Sequence, residues 1–288
     1  MTELTSRPAV TAGVSPSSRE PMRIGILSDL HCELEPAGSR WINVFEPEHL
    51  DRRTDAALEW FSDARVDLIL LLGDSVQFAN HSDLAHVFAR LAAAEVAPLA
   101  TVNGNHDLRL GEEFAACALE HGIRQLYEEP LELEGVAVTG VAVDRGPAPP
   151  QYIGMPGSWS GEAGLVVVAS HFPVLSEAFR VAGAGLPYAG DLVNRADLEG
   201  FFRSDPRPKL VLSGHIHARC STHDGPLLQF TVGALIEPPF DATIVEIDAT
   251  SLSVRRTARR LGEIAPTDPV FAGDDERWQR TDDRWALA

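Results

Sequence analysis

"MRIGILSDLH", residues 22–31, begins as an apolar run and ends in a carboxylate and an imidazole. An apolar run of this length, bounded by polar residues, predicts a buried β-strand. The same construction returns in "DLILLLGD", residues 67–74, and between the two "DRRTDAALEWFSDA" has the apolar spacing of an amphipathic helix. "SDLAHVFARLAAAE" predicts the next helix, with Ser82 or Asp83 as its N-cap, and "APLATVNG" the third strand. Strands alternating with helices predict covered α/β sheets.

Beyond the helical "GEEFAACALEHG", the stretch 124–143 changes period and predicts short strands that begin a second sheet. Residues 146–164 are rich in Gly and Pro and read as loop. "LVVVAS" and "KLVLSG" are further buried strands, with the helix "NRADLEGFFRSD" between them. "PLLQFTVGA", "ATIVEID" and "SLSVRRTA" then suggest a closing antiparallel run, with "DATS" as its last hairpin turn. The organisation expected is a flexible leader over 1–20, rich in Ser, Thr and Pro, one domain over 21–262, and a polar, acidic tail over 263–288. The tail carries Trp278 and Trp285, so it is either disordered or latched onto the body or a partner.

The chain has 288 residues, 44% of them hydrophobic, enough for a sizeable core. Its 24 Lys+Arg against 42 Asp+Glu leave a net charge of −18, which disfavours stable nucleic-acid binding. No stretch approaches the roughly 18 apolar residues of a membrane span, and the N-terminus lacks a signal-peptide pattern. A cytoplasmic location is expected. Cys32, Cys117 and Cys220 are scattered and odd in number, which argues against a disulfide framework or a zinc finger.

Five strand ends terminate in metal-binding residue types: Asp29 and His31, Asp74, the run Asn105, His106 and Asp107, then His171, and finally His215 and His217. Taken singly, "GD" is an ordinary turn and "NGNHD" an Asx-type turn. Five such ends in one chain are different, because ligands in open α/β sheets gather outside the carboxyl ends of strands. The spacing of two in "DLH" and "HIH" sends both side chains to one side of an extended backbone. Several buried carboxylates and imidazoles need a cationic partner. A mixed oxygen and nitrogen donor set without thiolate suits Mn, Fe, Zn or Co.

Together, Asp29-Leu30-His31, Gly73-Asp74, Gly104-Asn105-His106-Asp107, His171 and Gly214-His215-Ile216-His217 resemble the motif series of the calcineurin-like metallophosphoesterase superfamily. With the flanking strands, the likeness runs from about residue 22 to 258. The resemblance implies a four-layer αββα sandwich of two mixed β-sheets flanked by helices, with two divalent metal ions. Asp29, His31 and His217 would hold the first, Asn105, His171 and His215 the second, and Asp74 would bridge them. The pair would lower the pKa of a shared water that attacks phosphorus. His106 would serve the leaving group as proton donor or charge stabiliser, and Asp107 would orient its imidazole.

The expected activity is hydrolysis of a small phosphate ester. Phosphodiesters, cyclic nucleotides included, are favoured over monoesters such as nucleotides and sugar phosphates. A non-catalytic scaffold on the same fold would be expected to lose ligands, and this chain has lost none. Asn103 reads as turn chemistry, Asn80 and His81 as a loop that borders the substrate, and residues 180–195, with Tyr188, Asp191 and Arg195, as a specificity cap.

Overall fold

The computed structural model describes residues 20–159, 163–188 and 190–288. All of the expected leader except Glu20 lies outside them. Strand β1 (Met22–Leu27) divides its side chains by alternation: Ile24 and Ile26 enter one apolar cluster, and Leu27 enters another on the opposite face. Helices and strands then alternate as α1 (Leu50–Ala64), β2 (Leu68–Leu71), α2 (His81–Ala93), β3 (Leu99–Thr101), α3 (Glu112–Glu120) and β4 (Arg124–Gln125). β1, β2, β3 and β4 pair in parallel. Leu68 and Leu70 point with Ile24, whereas Ile69 and Leu71 point with Leu27 toward the helices. In α1, Leu50, Ala57, Leu58 and Phe61 recur at helical spacing, and Leu84, Val87, Phe88 and Leu91 do so in α2; these stripes cover the sheet's outer face.

The second sheet forms from β5 (Leu131–Leu133), β6 (Val136–Arg145), β7 (Tyr152–Pro156) and β8 (Leu165–Ser170). After α4 (Ala178–Gly183) and α5 (Arg195–Ser204) it gains β9 (Lys209–Ser213), β10 (Cys220–Asp224) and β11 (Leu227–Thr231). Its order is β10-β11-β9-β8-β6-β5, with β7 also on β6. Leu165, Val167, Leu210 and Leu212 face the first sheet, while Val166, Val168 and Val211 face Leu198 and Phe202 of α5. Helix, sheet, sheet and helix are thus held by three apolar interfaces, which is the expected αββα sandwich of two mixed sheets.

The last strands, β12 (Asp241–Asp248), β13 (Ser253–Arg260), β14 (Asp275–Thr281) and β15 (Arg284–Leu287), extend the first sheet to the order β15-β14-β13-β12-β1-β2-β3-β4. Four details differ from the sequence reading. Asn80, not Ser82 or Asp83, caps α2: its Oδ1 accepts the Ser82 N–H at 3.0 Å. The Gly- and Pro-rich stretch 146–164 contains β7, an edge strand, where proline costs no ladder bond. β11 runs parallel to β9 in the second sheet, so the closing antiparallel run is β12 with β13.

The fourth difference is the chain's end, where β14 and β15 pair as a hairpin, so residue 262 is no structural break. Of the two fates open to 263–288, latching onto the body is the one seen. One inward tryptophan per strand is too little for a periodic signal, yet Trp285 is wholly buried between the sheets and its Nε1 donates to the Pro226 carbonyl at 3.1 Å. Trp285→Ala is therefore expected to cost about 3–5 kcal/mol, seen as a lower urea midpoint at unchanged slope. A midpoint within error of the parent would mean that this hairpin does not hold the sheets together.

Candidate metal centre

β1, β2 and β3 are parallel neighbours in one sheet and β8 and β9 in the other, so their carboxyl ends lie side by side. The loops leaving them are tied together by backbone bonds. The Asp29 N–H donates to the Gly73 carbonyl at 3.2 Å, His31 N–H to the Asp74 carbonyl at 2.9 Å, and Gly214 N–H to the His171 carbonyl at 3.0 Å. The two sheets meet where the His215 N–H donates to Asp29 Oδ2 at 3.0 Å. This approach needs bare glycine backbone: a Cβ on Gly104 would lie 2.1 Å from Asp74 Oδ1, and one on Gly214 1.9 Å from Ser28 Oγ.

"DLH" and "HIH" converge, but not through extended backbone. Asp29, His31, His215 and His217 have φ of 52°, 41°, 69° and 51°, and Asp74 has 48°. Left-handed conformations at non-glycine residues cost energy and persist where surrounding structure enforces them. Here the intervening Leu30 and Ile216 are buried in separate apolar clusters, which pins each loop.

The donors form overlapping groups. Asp29, His31 and His217 bring one donor atom each to within 4.8 Å of one another, as do Asp74, His171 and His215, and also His31, Asp74 and His106. Asp74 Oδ2 lies 3.6 Å from His31 Nε2 and 3.2 Å from His171 Nε2, placing it in the middle. Asn105 Oδ1 lies 3.1 Å from His171 Nε2.

Each outer nitrogen of three histidines meets an oxygen acceptor. His31 Nδ1 lies 2.7 Å from Gln77 Oε1, His171 Nδ1 2.8 Å from the Leu72 carbonyl, and His217 Nδ1 2.5 Å from Glu237 Oε1. Carbonyl and carboxylate oxygens only accept, so Nδ1 carries a proton and Nε2 is the nitrogen turned to the centre, the orientation of metal-ligating histidines. His215 instead turns Nδ1 inward, 3.1 Å from His171 Nε2, and its buried Nε2 has no partner among the described residues.

The electrostatics call for a cation. Asp29 and Asp74 are 0% and 3% exposed, and among the described residues the ion pairs they make are all with histidines. Burial raises the Asp29 carboxyl, but His217 outweighs it and holds it below the ordinary range. Burial likewise opposes charge on His217 and His171, yet Asp29 and Glu237 push the first up to about 10, and Asp74 pushes the second up to about 9. Burial, with His217 beside it, carries His31 down to about 3. Two carboxylates that draw positive charge onto facing nitrogens fit a site for divalent cations.

The sequence reading placed His106 at this site, and it lines the same cavity, half-buried, with its ring at right angles to His31 at 4.7 Å. Its orientation comes from elsewhere than expected. Asp107 does not bond the imidazole: its oxygens accept the Ser75 N–H at 3.0 Å and the Gly104 N–H at 2.9 Å, while His106 Nδ1 meets the Gln77 carbonyl at 2.7 Å. Burial, and then Asp74, raises the Asp107 carboxyl to about 7. Asn103 is more than a turn residue, because its amide takes both the N–H and the carbonyl of Val143 at 3.0 and 2.8 Å, tying this loop to β6.

Asn80 and His81 start α2 and line neither cavity beside the centre, and the exposed His81 faces Glu113 at 3.9 Å. Within 180–195, Tyr188 and Ser176 bond Asp191, and Arg195 pairs with Asp191 and Glu199, so these side chains engage one another and not the cavity. Ala189 lies outside the described residues.

Two cavities meet at Asn105. One, of about 250 Å³, is lined by His31, Asp74, Asn105, His106, His215 and His217 together with Arg40, Trp41, Phe45 and Gln77. The other, of about 350 Å³, lies between the Asp107–Arg109 turn and the β6–β7 hairpin. The sequence reading missed Gln77 and Glu237. Glu237, wholly buried in the apolar run 232–240, carried a signal in that isolated charge; Gln77 carried none.

Comparison with known proteins bears on the whole arrangement. A dimetal phosphatase from Danio rerio superposes with a TM-score of 0.60 at 14% identity, covering 85% of this chain and 98% of that one. A purple acid phosphatase from yellow lupin gives 0.55 at 15%, over 86% of this chain and 53% of its own. GAP50, the anchor in the inner membrane complex of Plasmodium, gives 0.53 at 11%, over 85% and 86%. At such identities these likenesses establish the fold. No curated protein matches the sequence, and no helix among the described residues is long and apolar enough to cross a membrane. The family model for calcineurin-like phosphoesterases matches residues 22–219, which include every donor described above, so the chain belongs to that family and is a metal-dependent phosphoester hydrolase.

Proposed function

We propose that this protein hydrolyses small phosphodiesters at a centre of two divalent ions. Asp29, His31 and His217 hold the first ion, Asn105, His171 and His215 the second, and Asp74 is shared. When bound, two such ions acidify an attacking water and offset charge on the phosphoryl oxygens. The observation that carries the reading is the fixed orientation of His31, His171 and His217, whose Nδ1–H groups are held from outside so that Nε2 faces two buried carboxylates that no Lys or Arg neutralises among the described residues. The oxygen and nitrogen donor set suits Mn, Fe, Zn or Co.

The chain's own residues divide the remaining work. Glu237 fixes the His217 ring and is itself held by the Ile42 and Asn43 N–H groups. Gln77 serves twice, orienting His31 through its side chain and His106 through its carbonyl. With Nδ1–H held by that carbonyl, His106 presents Nε2 to the cavity and, as the imidazolium, passes its Nε2 proton to the departing oxygen. Asp107 stiffens the loop by accepting two backbone N–H groups.

Two cavities meeting at Asn105 support a diester, because each can take one substituent of the phosphorus. The test is turnover of bis(p-nitrophenyl) phosphate and p-nitrophenyl phosphate by metal-loaded protein. A kcat/KM at least about tenfold higher for the diester is expected. The reverse preference would make it a phosphomonoesterase acting on substrates such as nucleotides or sugar phosphates. Turnover of neither, with two metals bound, would leave a scaffold.

A further inference from the structure

The larger cavity is unlike the rest of this acidic chain. Among the described residues its charged lining is Arg109 and Arg145, with no carboxylate, although the protein carries a net charge of −18. Both guanidinium groups are solvent-exposed, and neither forms an ion pair among the described residues. The nearest acid in sequence, Asp144, alternates to the other side of β6, and its carboxylate accepts the Arg145 N–H at 2.6 Å.

These two cations are built onto the centre. Arg145 pairs with Tyr152 across the β6–β7 hairpin, whose tip is closed by the Gly146 N–H on the Gln151 carbonyl at 2.8 Å. Asn103, two residues before Asn105, grips Val143, two residues before Arg145. From the other side, the Tyr152 ring packs on Phe172 at 5.6 Å, and Phe172 packs on His215 at 3.7 Å. Asn194 braces Gly154 of the same hairpin with two bonds at 2.9 and 2.8 Å. Arg109 sits in the turn that follows His106.

A substrate whose phosphorus sits at the donors meets His106, Arg40, Trp41 and Phe45 in the smaller cavity and a pair of arginines in the larger one. The leaving arm belongs beside the proton donor, so the retained arm enters the larger cavity. We propose that Arg109 and Arg145 form a subsite for a second phosphate, carried on the retained arm, so that the substrates are diesters bearing a further phosphomonoester. This rests on the phosphodiesterase reading above and adds the substrate class. Exposed arginines pair with phosphate through bidentate, charge-assisted bonds.

A matched pair of probes tests it: thymidine 5′-(p-nitrophenyl phosphate) and the same compound with a 3′-phosphate, with release of p-nitrophenolate as the readout. In each, water oxygen bonds to phosphorus, the bond from phosphorus to the nitrophenyl oxygen breaks, and the water proton passes to solvent. The 3′-phosphate is expected to raise kcat/KM by about tenfold or more, mainly through KM, and the double variant Arg109→Ala/Arg145→Ala to remove that gain. Correct folding of the variant is read from its circular dichroism and Tm, and its loss on bis(p-nitrophenyl) phosphate, which carries no second phosphate, should be smaller than its loss on the 3′-phosphate probe. Equal losses on both thymidine probes, or none on either, would overturn the subsite.

Calorimetry of thymidine 3′,5′-bisphosphate against thymidine 5′-monophosphate, on metal-loaded protein, gives a readout without turnover. Tighter bisphosphate binding in the parent, lost in the double variant, keeps the subsite even if no probe is hydrolysed, in which case only the phosphodiesterase reading falls. Equal binding of the two ligands by the parent refutes the subsite whatever the turnover.

Discussion

Alanine at Asp74 is expected to lower turnover of bis(p-nitrophenyl) phosphate by at least about a thousandfold and to leave less than one tightly bound metal per chain. The size follows from position. Asp74 Oδ2 lies within 3.6 Å of an inward nitrogen from each half of the centre, 3.6 Å from His31 and 3.2 Å from His171, so both halves lose a donor at once. Its other oxygen accepts the His106 N–H at 2.9 Å, and alanine removes that bond too. Asp74→Asn separates the two effects, because the amide oxygen keeps the bond and lacks the charge.

Elemental analysis after dialysis gives the metal count. Thermal unfolding with and without chelator gives the energetic side, since a ligand present at a hundred times its Kd stabilises the folded state by about 2.7 kcal/mol. Chelation should therefore lower the Tm of the parent and leave that of either variant unchanged. Two metals retained by Asp74→Ala would remove this residue from the shared position.

How much of this was legible beforehand depends on the kind of signal. The sandwich was readable because β1, β2, β8 and β9 are buried on both faces, which makes them unbroken apolar runs, and because α1 and α2 carry apolar stripes at helical spacing. The convergence of Asp29, Asp74, Asn105, His171 and His215 was readable because each follows the end of a strand. Their backbone was not: left-handed φ at Asp29, His31, Asp74, His215 and His217 is imposed by tertiary bonds and by burial of Leu30 and Ile216. Partners far apart in the chain left no local trace. Asn103 reaches Val143 across 40 positions, and Gln77 and Glu237 act through single bonds. Polar strands with one anchoring ring, such as β15, fall below any periodic signal, although Trp285 is fully buried.

Removal of the His106 imidazole should separate chemistry from metal binding. The ring lines the smaller cavity, and its Nδ1 is held at 2.7 Å by the Gln77 carbonyl, which leaves Nε2 to face the leaving group and, in the imidazolium form, to donate. Geometry alone also permits another role, because His106 can join His31 and Asp74 around a cation. His106→Ala distinguishes the two. As a proton donor, its loss leaves the metal count at two and slows cleavage by about 10²–10⁴-fold when the leaving group is a poorly acidic alcohol. The loss should be much smaller with p-nitrophenolate, which departs without a proton. As a ligand, its loss lowers the metal count and slows both substrates alike. The dependence on leaving group is thus the decisive quantity: a steeper fall in rate with rising leaving-group pKa in the variant than in the parent is expected, and parallel slopes would take His106 out of the proton transfer.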